Sequence, residues 1–358
     1  MQKKIWIGFA SLVLSLLLLT GCGFEGEEGL ENMDPPQGNV NNGAEDTENN
    51  NNNTGDNDGD VEGESLNDVM RTLYLIDSNG LVVPQSLPLP LDESKAVAKQ
   101  SLEYLVKGGP VTALLPNGFE AVLPAGTEIN GVNLKEDGTL VVDFSNEFGE
   151  YRAEDELAIL QAVTHTLTQF DTVKQVKLQI NGYDLEAMPV NNTPISKGLS
   201  KTSGINIHSE DVTNLVGSEA VTVYYPAQNG ASMYYVPVTT HVEEKENIYA
   251  SIVEKLIAGP GLNLPLLNVF NDGVKLVEEP SYNDGIVGLT FNESILNLYD
   301  EPSIAEEVVE TLVLSLTEQP GVEGVQIEVE NMESTEFADG VDLSKPVTRP
   351  VMINTGSY

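Results

Sequence analysis

The chain has 358 residues, and its 17 Lys and Arg against 56 Asp and Glu give a formal net charge of −39 at pH 7. This balance argues against nucleic-acid binding, which needs a basic footprint against the phosphates. One cysteine and three histidines leave no intramolecular disulfide and few groups for nucleophilic or proton-transfer chemistry.

The chain begins with the parts of an export signal: a basic start, MQKK, an apolar run, and small residues before a cysteine. The residues Leu19, Thr20 and Gly21, followed by Cys22, resemble a bacterial lipobox, in which the cysteine becomes the first mature residue and carries diacylglycerol. A transmembrane helix is the alternative, but the apolar run is shorter than the roughly 20 residues that a span needs. We therefore predict a lipoprotein signal peptide over residues 1–21, with lipid attached at Cys22.

A second segment, residues 22–68, is predicted to be a disordered acidic tether. From residue 23 onward it holds 14 Asp or Glu and no Lys or Arg, so it repels itself and has little apolar surface to bury. The stretch Asp56–Asp60 hints at a calcium loop, but Val61 and Asn67 stand where that loop requires Gly and Glu. Loss of the signal removes two lysines and leaves 15 basic against 56 acidic residues, a net charge of −41. Membrane contact is then expected to come from the lipid alone.

The rest of the chain contains one module twice. Five segments recur in the same order at offsets between 147 and 153 residues, as expected of a tandem duplication. The matched pairs are RTLYLIDSNG with VTVYYPAQNG, LEYLVKGGP with VEKLIAGP, DGTLVVDFS with DGIVGLTFN, VKQVKLQIN with VEGVQIEVE, and ISKGLSK with LSKPVTR. We predict a first domain over residues 69–203, a linker over 204–218 and a second domain over 219–358.

Hydrophobic periodicity predicts the same elements in each copy, in the order β-β-α-β-β-α-β. The first strands alternate and are followed by an Asn-Gly turn signal and a second extended run. A first helix is then predicted from the spacing of Ala98, Leu102, Leu105 and Val106, which Tyr249, Val253, Leu256 and Ile257 repeat. Two strands, a second helix and a last strand follow, with apolar residues again on one face. The predicted fold class is α+β: two tandem copies of a small sheet with two helices on one face and solvent on the other.

Four tyrosines, Tyr224, Tyr225, Tyr234 and Tyr235, fall on the first hairpin of the second copy. Strand alternation predicts that half of them face the core and half face solvent. An aromatic patch for protein docking is the alternative interpretation.

The sequence contains no convincing catalytic motif. His165 has Leu314 as its counterpart in the second copy, which favours packing over proton transfer. The carboxylates at Glu154–Glu156 and Glu306–Glu307 are expected at helix starts, where anions suit the helix dipole. Gly108–Pro110 is interpreted as the stop of a helix, because anions bind at the opposite helix end. We predict no catalytic, metal-binding or cofactor-binding residue.

These motifs together resemble the GerMN-domain family of sporulation and germination proteins. The resemblance rests on the lipobox, the acidic tether, and the recurring LxxGP, DGxxxxxFS/N, VxxVxLxING and ISK/LSK motifs, and it extends from about Arg71 to the C-terminus. It implies a fold similar to the ring-building motif of secretion-system basal bodies. It also implies a non-enzymatic lipoprotein of endospore-forming bacteria, held on the extracytoplasmic face between mother cell and forespore. The implied role is to assemble or anchor the channel complex between these compartments, with protein partners, possible self-association, and Cys22 as the one functional residue carried over.

Two other functions remain open at this point. An extracytoplasmic receptor could bind a small ligand or peptidoglycan between its two similar domains. Such a pocket usually holds aromatic residues, and the single tryptophan, Trp6, lies in the signal. A hydrolase acting on the cell wall is the third class.

Overall fold

The computed structural model describes residues 68–90, 96–207, 217–297, 303–332, 336–337 and 343–355. Leu19, Thr20, Gly21 and Cys22 lie outside these ranges, as does the tether up to Asn67. Their assignments therefore stay predictions. Among the described residues, no helix is long and apolar enough to cross a bilayer.

The first repeat contains seven strands and two α-helices. They are β1 (Asp68–Asp77), β2 (Val82–Pro90), α1 (Val97–Glu103), β3 (Phe119–Glu120), β4 (Ile129–Leu134), β5 (Thr139–Phe144), α2 (Glu156–Leu167), β6 (Gln175–Ile180) and β7 (Tyr183–Asp184). The order matches the predicted pattern, with two additional two-residue strands.

The second repeat has the same plan with longer hairpin strands. Its described elements are β8 (Ser218–Asn229), β9 (Ser232–Glu243), α3 (Ile248–Ala258), β10 (Ser281–Asn283), β11 (Ile286–Phe291), β12 (Ser303–Ile304), α4 (Glu306–Leu316), β13 (Gly324–Val329), β14 (Glu336–Phe337) and β15 (Val347–Thr348).

Each repeat is built on a four-stranded mixed sheet, in the order β4-β5-β6-β7 and β10-β11-β13-β15. The central pairs, β5 with β6 and β11 with β13, are parallel, and the second helix of each repeat makes the crossover between them. The residues predicted to line the sheet's inner face are buried, including Leu140, Val142 and Phe144 in the first repeat and Val287 and Leu289 in the second. The α+β fold class is confirmed.

The first hairpin of each repeat does not join this sheet. β1 and β2 form a sheet with the short β3, and β8 and β9 form a two-stranded sheet. Each hairpin packs against the second helix of its own repeat, β1 against α2 and β8 against α4. The hairpins are therefore free to meet on their other side, where β2 contacts β9.

The first helix ends earlier in repeat one than predicted. α1 stops at Glu103, so Leu105 and Val106 are buried outside the helix. The reason is a competing backbone pairing, since the Leu105 carbonyl accepts hydrogen bonds from the N–H groups of Val122 and Leu123. In repeat two the four periodic positions all lie within α3.

The Gly-Gly-Pro stretch is consequently not the stop of α1, which corrects the prediction for Gly108–Pro110. Gly108 has φ +72°, in the left-handed region that favours glycine. A Cβ on Gly109 would lie 2.9 Å from the Val106 carbonyl oxygen. The backbone geometry therefore explains why glycine occupies both positions. Pro110 then starts a short 3-10 helix. In repeat two a single Gly259, with φ +84°, directly caps α3.

Candidate functional site between the two repeats

The two repeats meet through their hairpins and through the tail that follows the sheet of each repeat. The tails reach the contact at Ile205–Asn206 in repeat one and Ile353–Asn354 in repeat two, at an offset of 148 residues. Both asparagines adopt a left-handed backbone, with φ 45° and 55°, a conformation that asparagine tolerates better than most residues.

Asn206 connects the two hairpins. Its Oδ1 accepts from the Val82 N–H at 2.9 Å, and its Nδ2 donates to the Val82 carbonyl at 2.7 Å. The same amide nitrogen donates to the Pro237 carbonyl in the other repeat at 2.8 Å. One side chain therefore holds the main chain of both β2 and β9.

Asn354 makes the corresponding contacts with the roles of the repeats exchanged. Its Oδ1 accepts from the Tyr235 N–H at 2.9 Å, and its Nδ2 donates to the Tyr235 carbonyl at 3.0 Å. That nitrogen also donates to the Pro84 carbonyl of repeat one at 2.8 Å. Tyr235 and Pro237 occupy the positions of Val82 and Pro84 in the duplicated hairpin, so the two asparagines form a pseudo-two-fold pair. We call them the Asn clamps.

The residue before each clamp pairs with the hairpin of the opposite repeat. Ile205 accepts from the Thr239 N–H at 2.8 Å and donates to the Thr239 Oγ1 at 2.9 Å. Ile353 accepts from the Ser86 N–H at 3.1 Å and donates to the Ser86 Oγ at 3.0 Å. Each tail thus extends across its neighbour, and the repeats hold each other reciprocally.

A polar cluster next to the clamps breaks this symmetry. Tyr74 and its counterpart Tyr224 lie close enough across the interface for the Tyr224 hydroxyl to help raise the pKa of Tyr74. Arg349 donates to the Tyr224 hydroxyl at 2.8 Å, lies over the Tyr224 ring at 5.1 Å, and pairs with Glu318 at 3.0 Å. Lys201, from the tail of repeat one, reaches the same carboxylate at 3.9 Å. Glu318 is therefore approached by cations from both tails.

The ionisation of this cluster follows from burial and charge. Burial raises the pKa of Tyr74 and of Tyr224, and the nearby Glu318 carboxylate adds to the increase for both. Burial also opposes ionisation of Glu318, but Arg349 and Lys201 outweigh it and lower the pKa of the carboxyl. The cluster accordingly holds a charged Glu318 with a charged Arg349.

His165 lies beside the cluster as a buried, packed ring. The ring is 5% exposed and sits 5.3 Å from the Tyr74 ring, and its Nε2 is 3.4 Å from the Gly204 carbonyl oxygen. Burial lowers the pKa of His165 to about 4, with the Glu318 carboxylate acting in the opposite direction. The imidazole is neutral near pH 7, in agreement with the predicted packing role.

The structure corrects both interpretations of the hairpin tyrosines. Tyr224, Tyr225, Tyr234 and Tyr235 are all buried, at 8% exposure or less, so neither a solvent-facing half nor an exposed docking patch exists there. The reason is that the hairpin is covered twice, by its own helices and by repeat one. Tyr234, for example, donates to Asp77 at 2.8 Å in the other repeat.

One further prediction is corrected at a single residue. Glu156 was expected at a solvated helix start, but it is fully buried and accepts hydrogen bonds from Tyr151, Asn191 and Thr193. It ties a loop to α2. Within the segment predicted as a linker, residues 204–218, Ile205 and Asn206 contact the hairpin of the other repeat. Within the described ranges, no group of three or more His, Cys, Asp or Glu could hold a metal ion.

Sequence reasoning missed the Asn clamps, although a signal for them exists. The matched tails ISKGLSK and LSKPVTR continue at a constant offset of 148 residues as far as the Ile-Asn pair. An asparagine that recurs in a duplicated tail, beyond the last predicted strand, indicates a special backbone conformation or a main-chain contact.

Comparison with known proteins agrees with this two-repeat architecture. A family model described as Germane, sporulation and spore germination, matches residues 72–186 and 222–335. The spore germination protein GerM of Bacillus subtilis (strain 168) is 47% identical over 365 residues, covering 98% of this chain and 97% of that protein. The solved structure of the tandem GerMN domains of the sporulation protein GerM from Bacillus subtilis superposes with a TM-score of 0.74 and 49% identity. It covers 81% of this chain and 100% of the solved one. The chain therefore belongs to the Germane family of sporulation and spore germination proteins, with two GerMN domains in tandem.

Proposed function

We propose that the chain is a non-enzymatic, lipid-anchored protein that acts in spore formation and germination on the extracytoplasmic face of the membrane. Its role there is to assemble or anchor the channel complex between mother cell and forespore. Family membership supports the sporulation role. The lipobox at Cys22 supports the anchor, and the acidic tether that follows lets the folded repeats extend away from the membrane.

The observation that favours assembly over ligand reception is the filled contact between the repeats. A receptor with two similar domains usually binds its ligand in the crevice where they meet. Here that position is occupied by the chain itself, because Tyr224, Tyr234 and Tyr235 are buried there and both Asn clamps bridge it. The outward faces of the two sheets remain for protein partners. In repeat one that face carries polar side chains such as Lys177 and Gln179, as expected of a solvated sheet surface.

The proposal is tested in sporulating cells that lack their own relative of this protein. Wild type and Cys22→Ser are expressed with an affinity tag, labelled with a lipid precursor, cross-linked and captured from membranes. We expect lipid label and co-captured sporulation membrane proteins with wild type only. Lipid on the Cys22→Ser variant would refute the anchor, and capture of cytoplasmic proteins alone would refute the location.

A separate experiment tests the receptor class directly. The soluble repeats are screened by thermal shift against cell-wall fragments and metabolites. We expect no ligand to raise the melting temperature reproducibly, and a rise of several degrees with one compound would overturn the assembly role. Release of soluble fragments from peptidoglycan would instead indicate a hydrolase.

A further inference from the structure

We infer that the surface joining the two repeats can also join repeats of different chains, so that the partner it fits is a second copy of this protein. In that arrangement, the first repeat of one chain pairs with the second repeat of another. The inference goes beyond the proposed function, because it depends neither on the lipid anchor nor on other partners.

The contacts themselves require no covalent link between the repeats. Asn206 contacts Val82 and Pro237, and Asn354 contacts Tyr235 and Pro84. All these atoms belong to the hairpins and tails, which are complete within each repeat. A second repeat supplied by another chain would present the same donors and acceptors at the same places.

The pairing surface is also self-complementary, as in a two-fold dimer. In such an interface the same patch is used by both partners, and residue i contacts j while j contacts i. Here the Ile205–Thr239 pairing has its mate in Ile353–Ser86. The Thr72–Ser86 hydroxyl pair within one hairpin likewise recurs as Thr222–Thr239 in the other. The contact within one chain therefore has the geometry of a two-fold dimer interface.

The length of the connection decides whether the interface closes within one chain. Ile205 lies beside Thr239, while the Gly217 carbonyl accepts from the Glu244 N–H, five residues further along. At about 3.4 Å per residue, Thr239 and Glu244, and hence Ile205 and Gly217 beside them, are about 17 Å apart. Residues 208–216 add nine residues to the path, enough to span this distance. Without them the path from Ile205 to Gly217 reaches only about 11 Å.

If the two repeats of one chain separated, the hairpin and tail of each repeat would lose their hydrogen-bond partners. Two chains can then exchange repeats reciprocally and close as a dimer, or add head to tail into a longer series or a ring. A two-repeat chain of this kind can therefore exist as a closed monomer and as an assembly held by the same hydrogen bonds.

The main test shortens the connection in the chain from residue 22 onward, with Cys22→Ser to keep it soluble. Deleting residues 208–216 should give particles of at least twice the mass of one chain, measured by size-exclusion chromatography with light scattering. Replacing the same nine residues by Gly and Ser is the matched control and should stay monomeric. Adding Asn206→Ala and Asn354→Ala to the deletion should reduce the assembled fraction at least tenfold. A monomeric deletion variant, or an assembly indifferent to the clamp substitutions, would overturn the inference.

A second measurement avoids the deletion in case that variant fails to fold. A protease site is inserted between residues 207 and 217 of the otherwise unchanged chain, and the folded protein is cleaved. One cleaved sample carries light isotopes and another carries heavy isotopes. The two are mixed at low concentration and examined by native mass spectrometry. Hybrid pairs of a light first repeat with a heavy second repeat are expected. Pairs that never exchange, or halves that do not remain paired at all, would contradict pairing between chains.

Discussion

At their junction the two repeats share the Asn clamps and the paired tails but differ in the charged and aromatic side chains beside them. The Asn clamps and the paired tails are matched position by position, whereas the neighbouring cluster is not. His165 in repeat one is equivalent to Leu314 in repeat two, Gln169 to Glu318, and Lys201 to Arg349. The difference indicates that backbone hydrogen bonds set the geometry of pairing. The carboxylate and its arginine are an addition made by the second repeat alone.

The largest expected effect is loss of an Asn clamp, and it should be equal in the two repeats. Asn206→Ala and Asn354→Ala each remove three hydrogen bonds worth about 1 kcal/mol apiece. They also place alanine in a left-handed conformation that costs about 1–2 kcal/mol. We expect each variant to lower the free energy of unfolding by about 3–5 kcal/mol in urea denaturation at pH 7.5.

Glycine at the same positions is the matched control for that prediction. Because glycine adopts a positive φ without the Cβ penalty, Asn206→Gly and Asn354→Gly should be about 1–2 kcal/mol less destabilising than the alanine variants. If one clamp cost several times as much as the other, the pseudo-two-fold equivalence of the repeats would be wrong.

The sequence predicted the interior of each repeat better than the junction between them. Periodicity identified the buried faces of the sheets and second helices, because burial on one side leaves a repeating apolar pattern. It wrongly predicted that half of the four hairpin tyrosines face solvent, because alternation assumes that one hairpin face meets solvent and does not detect cover from another domain. The Asn clamps act on main-chain atoms, which carry no side-chain signature. Their partners could therefore not be predicted from sequence.

The next prediction concerns how stability depends on pH at His165, whose equivalent position in repeat two is Leu314. The pKa of His165 is about 4 in the folded chain and near 6.5 when unfolded, so the unfolded state binds a proton more readily. Stability from the neutral ring is complete above pH 6.5 and is lost as pH falls from 6.5 towards 4. His165→Leu should remove this loss. We compare the free energy of unfolding of the variant with that of wild type at each pH. This difference should be about 2–3 kcal/mol more favourable to the variant at pH 4.5 than at pH 7.5.

Paired urea titrations at the two pH values give the measurement. Carboxylates that do not interact with His165 cancel because both proteins contain them, whereas Glu318, which interacts with it, does not. Leucine is the appropriate replacement, since the second repeat already packs it at this position. An unchanged difference between pH 7.5 and pH 4.5 would show that the imidazole is already protonated, or solvated, in the folded chain.

The smallest effects should come from the unmatched charges, and they should be unequal. Glu318→Gln introduces the residue that repeat one has, and it leaves the Arg349 guanidinium without its carboxylate at 3.0 Å. Because the Glu318 side chain is 20% exposed and that of Arg349 28%, solvent screens part of the loss, and we expect about 1–2 kcal/mol. Lys201→Gln removes a 3.9 Å pair whose lysine is 52% exposed, so it should cost less than about 0.5 kcal/mol.

Glu328→Gln, on the exposed outer face of β13, makes the same chemical change away from the junction and should be close to neutral. Urea denaturation of the three variants at low and high salt completes the comparison, with the Glu318 variant expected to depend least on salt because its pair is the least solvated. If Lys201→Gln proved as costly as Glu318→Gln, the carboxylate would be bridging the two tails. The charge cluster would then contribute to repeat pairing, which the geometry assigns to the Asn clamps.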